Sequence, residues 1–318
     1  MLHQTFLHVR GVGVKTERSL WRKGIFGWEE LLELGPRVKG LTLPRFLVED
    51  VEESVRRLEA RDAHFFAQRL PCQELWRLFP EFRPETAYLD IETNGMWAGQ
   101  GHVTTIALYD GQRLRTYVHG ENLWEFAQDV KGYKVLVTYN GKCFDLPFLR
   151  ESMALSLDQV HIDLRFLLAG LGYRGGLKGC EKALGMDRGD LEGLDGFFAV
   201  LLWKAFLMEG DPRYLETLLA YNVQDVLSLE HLMVRAYNLK LCETPFARKL
   251  SLPMPLKRII PYQTRPRYHG VCPEAAAASL KGSGSGWGLP LLIQAQNDAH
   301  HLRVISDANR GAPGPIAA

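Results

Sequence analysis

Residues 87–93, Ala87-Tyr88-Leu89-Asp90-Ile91-Glu92-Thr93, constrain the chain most, because two carboxylates stand at i and i+2 inside an otherwise apolar run. Side chains two apart on a β-strand share a face, so Asp90 and Glu92 point the same way. Held about 4 Å apart, they repel by roughly 4 kcal/mol at an effective dielectric of about 20. A buried pair ionised at neutral pH therefore needs a cation or a shared proton. Acidic-x-acidic triplets are themselves common: a chain with 37 Asp and Glu among 318 residues contains about four by chance, so the setting carries the weight. Tyr88, Leu89 and Ile91 are strand formers, and Asn94-Gly95 follows as a turn signal. Taken alone, the stretch also fits a solvated strand face.

A composition of 46% hydrophobic and 24% charged residues is ordinary for a globular protein with a substantial core. The longest apolar run, Phe197 to Trp203, is far too short to span a bilayer, and Met1 to Thr5 lacks the charged start of a secretory leader. No membrane partner is expected. Cys72, Cys143, Cys180, Cys242 and Cys272 show no paired spacing, which argues against a zinc knuckle or a disulfide framework and for a reduced, cytoplasmic setting. The net charge of +1 hides a basic stretch at 240–269, with Lys240, Arg248, Lys249, Lys257, Arg258, Arg265 and Arg267. That asymmetry permits a nucleic-acid ligand.

In chain order, Leu20, Trp21 and Ile25 recur at helical spacing after Gly11-x-Gly13-x-Lys15, and Gly24 ends that helix. A Gly-x-Gly turn before a helix exposes backbone N–H groups that can take a phosphate, with Lys15 and Arg18 adding charge. The pattern resembles a helix-hairpin-helix element that grips nucleic-acid backbone; a plain turn between packed helices is the alternative. Pro44 to about Leu70 reads as one charged surface helix. After the strand at 87–93, Asp110-Gly111 joins two strand-like runs, 102–109 and 112–118, into a hairpin. These three strands form an antiparallel meander, followed by a short helix and a buried strand at 135–139.

Asp145 sits where the next helix starts, with Pro147 in its first turn, and taken alone reads as an N-cap. Val160 to Leu164 is a fifth strand whose Asp163 caps the helix after it. Lys178 either reaches a substrate phosphate or is solvated. Phe197 to Met208 is apolar almost all round and reads as a buried helix. Asp211-Pro212 opens a long helix to about Tyr237, on which Tyr221 and Asp225 share a face at i and i+4. Residues 241–318, with their prolines and the Gly-Ser run at 282–286, read as a flexible tail.

Asp90 and Glu92 on a first strand, Asn140 with Phe144-Asp145 at a strand-to-helix junction, and Tyr221-x-x-x-Asp225 on a late helix follow the order of three exonuclease motifs. The chain thus resembles the DnaQ-like 3′→5′ exonuclease superfamily with the Asp-Glu-Asp-Asp signature, in its tyrosine variant. Within it, the YprB-type ribonuclease H-like domain proteins match best, through Phe6-Leu7-His8-x-x-Gly-x-Gly-x-Lys-Thr-Glu17, His161-Ile-Asp163-Leu and Leu177-Lys178 with Glu181 and Leu184-Gly185. The resemblance runs from about residue 5 to about residue 240.

It implies a ribonuclease H-like α/β fold, a mixed five-stranded sheet flanked by helices. A small helical region at 1–83 would precede the exonuclease domain at 84–240. It also implies that Asp90, Glu92 and Asp225, with Asp145 largely through water, hold two divalent cations, Mg²⁺ or Mn²⁺, as the all-oxygen donor set favours. Tyr221 would position the attacking water. Thr93, Asn140 and Lys178 would touch the substrate, and Gly11, Gly13 and Lys15 its backbone. The partner is nucleic acid, with DNA expected ahead of RNA. A catalytically idle binding module and a structure-specific endonuclease on the same fold are the competing readings.

Overall fold

β-Branched and aromatic residues with period-two alternation build the sheet the sequence leads one to expect. The computed structural model describes residues 1–34, 37–38, 41–42, 45–96, 99–188 and 196–262. A two-residue ladder, β1 (Arg37–Val38) with β2 (Leu41–Thr42), lies apart from the main sheet. That sheet contains β3 (Thr86–Thr93), β4 (Val103–Tyr109), β5 (Leu114–Val118), β6 (Val135–Thr138) and β7 (Val160–Asp163). Its spatial order is β5-β4-β3-β6-β7. The meander is antiparallel throughout, whereas β6 and β7 join in parallel, as connections through helices allow.

Alternation along β3 divides its side chains between two cores. Ala87, Leu89 and Ile91 pack with Ile106, Leu108, Leu136 and Phe148 on one face. Tyr88 joins the opposite core, with Val137 and with Val226, Leu229 and Tyr237 of the helix Pro212–Leu241. Asp90 and Glu92 share the face of Tyr88, and so point toward that long helix. Asp211 caps it as expected, accepting from Arg213 N at 3.0 Å.

The N-terminal helical region is present and shares the second core rather than closing one of its own. Phe6, Trp28, Phe66, Trp76 and Phe79 are continuous with the long helix, and the Trp76 and Tyr237 rings lie 5.6 Å apart. The charged helix expected over 44–70 is instead two, Arg45–Glu59 and Ala63–Ala67. Arg61 adopts φ +55° at the break, where its guanidinium reaches Glu85 and the Glu81 carbonyl, and Asp62 caps the second piece. Long-range partners override helix propensity there.

Two further expectations change. The helix Gly196–Glu209 buries Ala199, Leu202 and Trp203 against the long helix, with Phe198 and Phe206 partly buried there, and leaves Phe197 47% and Met208 83% exposed, so its all-round apolar sequence does not mean burial. The segment read as a tail begins in packed structure. Leu252 exchanges two hydrogen bonds with the Asn238 side chain, Arg258 donates to the Tyr109 hydroxyl and the Gly111 carbonyl, and the Tyr262 hydroxyl pairs with Thr116 at 2.6 Å. Residues 263–318 lie outside the described residues. This segment is largely exposed, so its five hydrogen bonds count at the low end of a net 0.5–1.5 kcal/mol each, and ending the chain after Leu250 is expected to lower stability by about 2.5 kcal/mol, read as a lower urea midpoint.

Candidate active site

β6 stops at Thr138, and its ladder with β3 covers only Thr86 to Tyr88, so the far end of β3 has a free edge facing the loop after β6. That loop is drawn tight. Gly141 N donates to Thr138 Oγ1 at 3.0 Å, and a Cβ on Gly141 would lie 2.2 Å from that oxygen. Asn140, at φ +67°, and Lys142 donate their backbone N–H groups to Asp163, which also caps the next helix by accepting from Arg165 N. The loop delivers Asp145 as the first residue of the helix Asp145–Met153, with Phe144 rather than Asp145 at the cap position. Its Oδ1 accepts instead from Ile91 N at 3.3 Å, across the free edge and between Asp90 and Glu92. The N-cap reading of Asp145 is therefore replaced by a contact between two motifs.

Carboxylate oxygens of Asp90, Glu92 and Asp225 lie within 4.8 Å of one another. Asp225 comes from the long helix and the other two from β3, with a shift in the β3–β4 register immediately after Glu92. Burial first, then the neighbouring acids, pushes Asp90 and Glu92 well above the usual carboxylate range. Burial also raises Asp225, against the pull of the Arg188 guanidinium. Such mutual elevation is what closely held acids show when no cation offsets them. Their oxygen-only donor set fits a hard divalent cation, which Asp90, Glu92 and Asp225 could hold.

Tyr221 is buried one turn before Asp225, with Lys178 Nζ 4.9 Å from its ring centroid. Burial, then Asp225, Glu92 and Asp90, raises its phenol far above the usual value, so it keeps its proton. Thr93 is buried and accepts from Gly95 N at 3.3 Å. The Asn140 side chain accepts from Arg165 Nη1 at 2.5 Å. Gly11, Gly13 and Lys15 are exposed. Gly11 has φ +73° and Gly13 precedes the helix Val14–Arg22, while only the short 3-10 turn Leu2–Gln4 stands before them.

Two contacts to the acids were not anticipated. Asn222 donates Nδ2 to Asp90 Oδ2 at 2.6 Å and accepts from the Thr105 hydroxyl, which fixes the Asp90 rotamer from the neighbouring strand. Its i, i+3 spacing to Asp225 was the available signal. Arg188 contacts Asp225 Oδ1 at 2.6 Å. Nothing in its local sequence marks it among 38 Lys and Arg.

One pH effect follows from Asp145. Burial pushes its carboxyl from an ordinary 3.8 up to about 7, so the folded state holds that proton more tightly than the unfolded chain. The stability it contributes is complete at low pH and is lost as pH rises from about 4 to about 7. Asp145→Asn is therefore expected to stabilise the metal-free protein at pH 7.5 more than at pH 4.5, measured as the difference in urea midpoint from wild type in the presence of a chelator.

With this geometry in view, the class is defined by comparison: residues 87–237 match the family model of the RNase_H superfamily, and they form a ribonuclease H-like domain. The chain is 32% identical over 171 residues to YprB of Bacillus subtilis (strain 168), itself uncharacterized. That match takes in 46% of this chain and 40% of YprB, so the chain spans less than half of its curated relative. Among solved structures it is similar to Brucella melitensis NrnC with bound Mg²⁺, at a TM-score of 0.36 and 16% identity over 67% of this chain and 93% of that one. It is also similar to the family B DNA polymerase of Pyrobaculum calidifontis, at 0.39 and 18% over 49% and 24%. Both are likenesses of fold alone. Among the described residues, no helix is long and apolar enough to cross a membrane.

Proposed function

We propose that this chain is a metal-dependent exonuclease that hydrolyses phosphodiester bonds from the 3′ end of a nucleic acid, DNA ahead of RNA, in the cytoplasm. The observation that carries the reading is the meeting of Asp90, Glu92 and Asp225 from two distant elements within 4.8 Å, with Asp145 bonded to the strand between the first two. Four acids placed so closely in a buried pocket are costly to the fold and find their use with cations.

In this reading Asp90, Glu92 and Asp225 hold two Mg²⁺ or Mn²⁺ ions, and Asp145 contributes through water. When bound, such ions stabilise the charge that builds on the attacking and leaving oxygens of a phosphodiester. Tyr221, protonated and rigidly packed, donates a hydrogen bond that holds the attacking water in line. Lys178 meets a substrate phosphate, supported by its place over the Tyr221 ring and beside the acids. Thr93 and Asn140 border the strand entering the site. Gly11, Gly13 and Lys15 offer an exposed contact for nucleic-acid backbone away from the chemistry.

The test is incubation of 3′- and 5′-labelled DNA and RNA oligonucleotides with the protein and Mn²⁺. Stepwise shortening from the 3′ end, releasing nucleoside 5′-monophosphates, is expected. Cutting of closed circular DNA would move the assignment to an endonuclease, and shortening from the 5′ end would reverse its polarity.

A further inference from the structure

A buried guanidinium inside an acid cluster invites two explanations, and its hydrogen bonds separate them. The helix Gly176–Ala183 closes through Leu184 and Gly185, the latter at φ +69°, and Arg235 Nη1 holds the Leu184 carbonyl at 2.7 Å. This turn returns the chain so that the Arg188 side chain, 7% exposed, meets Glu181 and Asp225. Nε and Nη2 engage the two oxygens of Glu181, a fork on a fork, with Nη2 to Oε1 at 2.9 Å. Glu181 is itself buried. Nη2 also stands 2.6 Å from Asp225 Oδ1.

Nη1 is buried and has no hydrogen-bond partner among the described residues. A residue present only to neutralise the acids would turn its donors on them. Arg188 has its charge matched by Glu181, touches Asp225 with one nitrogen and keeps another without an acceptor. A buried donor left unmade is costly, and in native sites such a donor is completed by water or by a ligand. The ligand must be anionic and must reach the acids, and a planar guanidinium suits phosphate oxygens in particular.

Building on the proposed nuclease reading, we infer that Arg188, oriented by Glu181, is a further catalytic residue whose Nη1 donates to a non-bridging oxygen of the scissile phosphate and of the 5′-phosphate released. Arg188 is then the substrate's donor and Glu181 its positioning residue. Negative charge gathers on those oxygens during phosphoryl transfer, where an arginine donor is worth factors of about 10³ or more.

The test is calorimetric binding of deoxyadenosine 5′-monophosphate, with deoxyadenosine as the control lacking phosphate, to the Mn²⁺-loaded wild type, Arg188→Gln, Arg188→Lys and Glu181→Gln. Mn²⁺ binding is titrated separately for each. Arg188→Gln is expected to weaken the monophosphate at least about tenfold while leaving deoxyadenosine unchanged and Mn²⁺ equal or tighter. Arg188→Lys keeps the charge but not the fork and should fall between, which preserves the test if the glutamine variant folds poorly. Glu181→Gln should lose a few-fold in the same direction. If Arg188→Gln and Arg188→Lys bind the monophosphate as wild type does, with Mn²⁺ tighter, Arg188 is only a counter-charge and the inference is overturned. A wild type that takes Mn²⁺ but no monophosphate overturns it while the nuclease reading stands, and one that binds neither overturns both.

Discussion

Asp225→Asn is expected to reduce hydrolysis of a 3′-labelled oligonucleotide at least about a thousandfold, because losing several kcal/mol of charge stabilisation in the transition state corresponds to that factor. The substitution is nearly isosteric, so the loss is expected without unfolding. Metal-free, the variant should melt no lower than wild type. Burial and the neighbouring acids hold Asp90, Glu92 and Asp225 above their usual range, and removing one charge relieves the others. Arg188 keeps its fork on Glu181 in the variant. Undiminished turnover by a folded Asp225→Asn protein would mean that the third acid is not part of the chemistry.

The largest expected effect on stability lies at the other end of the chain, at Glu17. This carboxylate is buried beneath the Gly11-x-Gly13 turn, where it accepts from the Thr5 hydroxyl at 2.6 Å and from Phe6 N at 2.8 Å, and pairs with buried Arg77 at 3.3 Å. Burial raises its pKa, with Arg77 and the two hydrogen bonds opposing, so the site is held by its partners rather than by solvent. Glu17→Ala leaves those donors unmade and one charge of a buried pair exposed to apolar surroundings, which costs about 3–5 kcal/mol. Arg77 retains Glu74 at 2.7 Å, which places the expected loss near the lower bound, about 3 kcal/mol by urea titration. Glu17→Gln still accepts from Phe6 N and should lose less. A loss below about 1 kcal/mol for the alanine variant would show that the N-terminal region does not depend on this pair.

The same residue shows how far sequence reasoning reaches. Glu17 and His8 stood out as part of the stretch that resembles the YprB-type proteins, around the Gly-x-Gly turn, yet both are buried, His8 beside Trp28 and Phe66 and bonded to Ser54. Gly11, Gly13, Lys15 and Thr16 of that stretch face outward. Periodicity exposed the meander, the two parallel strands and the long helix, since these depend on local alternation and on turn chemistry at Asp110-Gly111 and Asp211-Pro212. The acids were legible because strand and helix spacing fix which side chains share a face. Arg61 and Arg188 were not, because Glu85 and Asp225, which they reach, stand far along the chain and no local pattern encodes those pairs, and Asn222 offered only its i, i+3 spacing to Asp225. Taken alone, Asp145 reads as a cap for the same reason, and only its place in the motif series marks it otherwise: its acceptor role is toward Ile91, on a strand edge that is free because β6 is short. The exposed apolar side of the helix 196–209 shows the converse, hydropathy that tertiary packing leaves unused.

That the acids meet in order to hold cations is tested most directly by calorimetric titration of Mn²⁺ into the chelator-treated protein at pH 7.5, with Asp90→Ala alongside. Saturable binding by the wild type that the substitution removes is the predicted result. No binding by the wild type, or equal binding by Asp90→Ala, would contradict it.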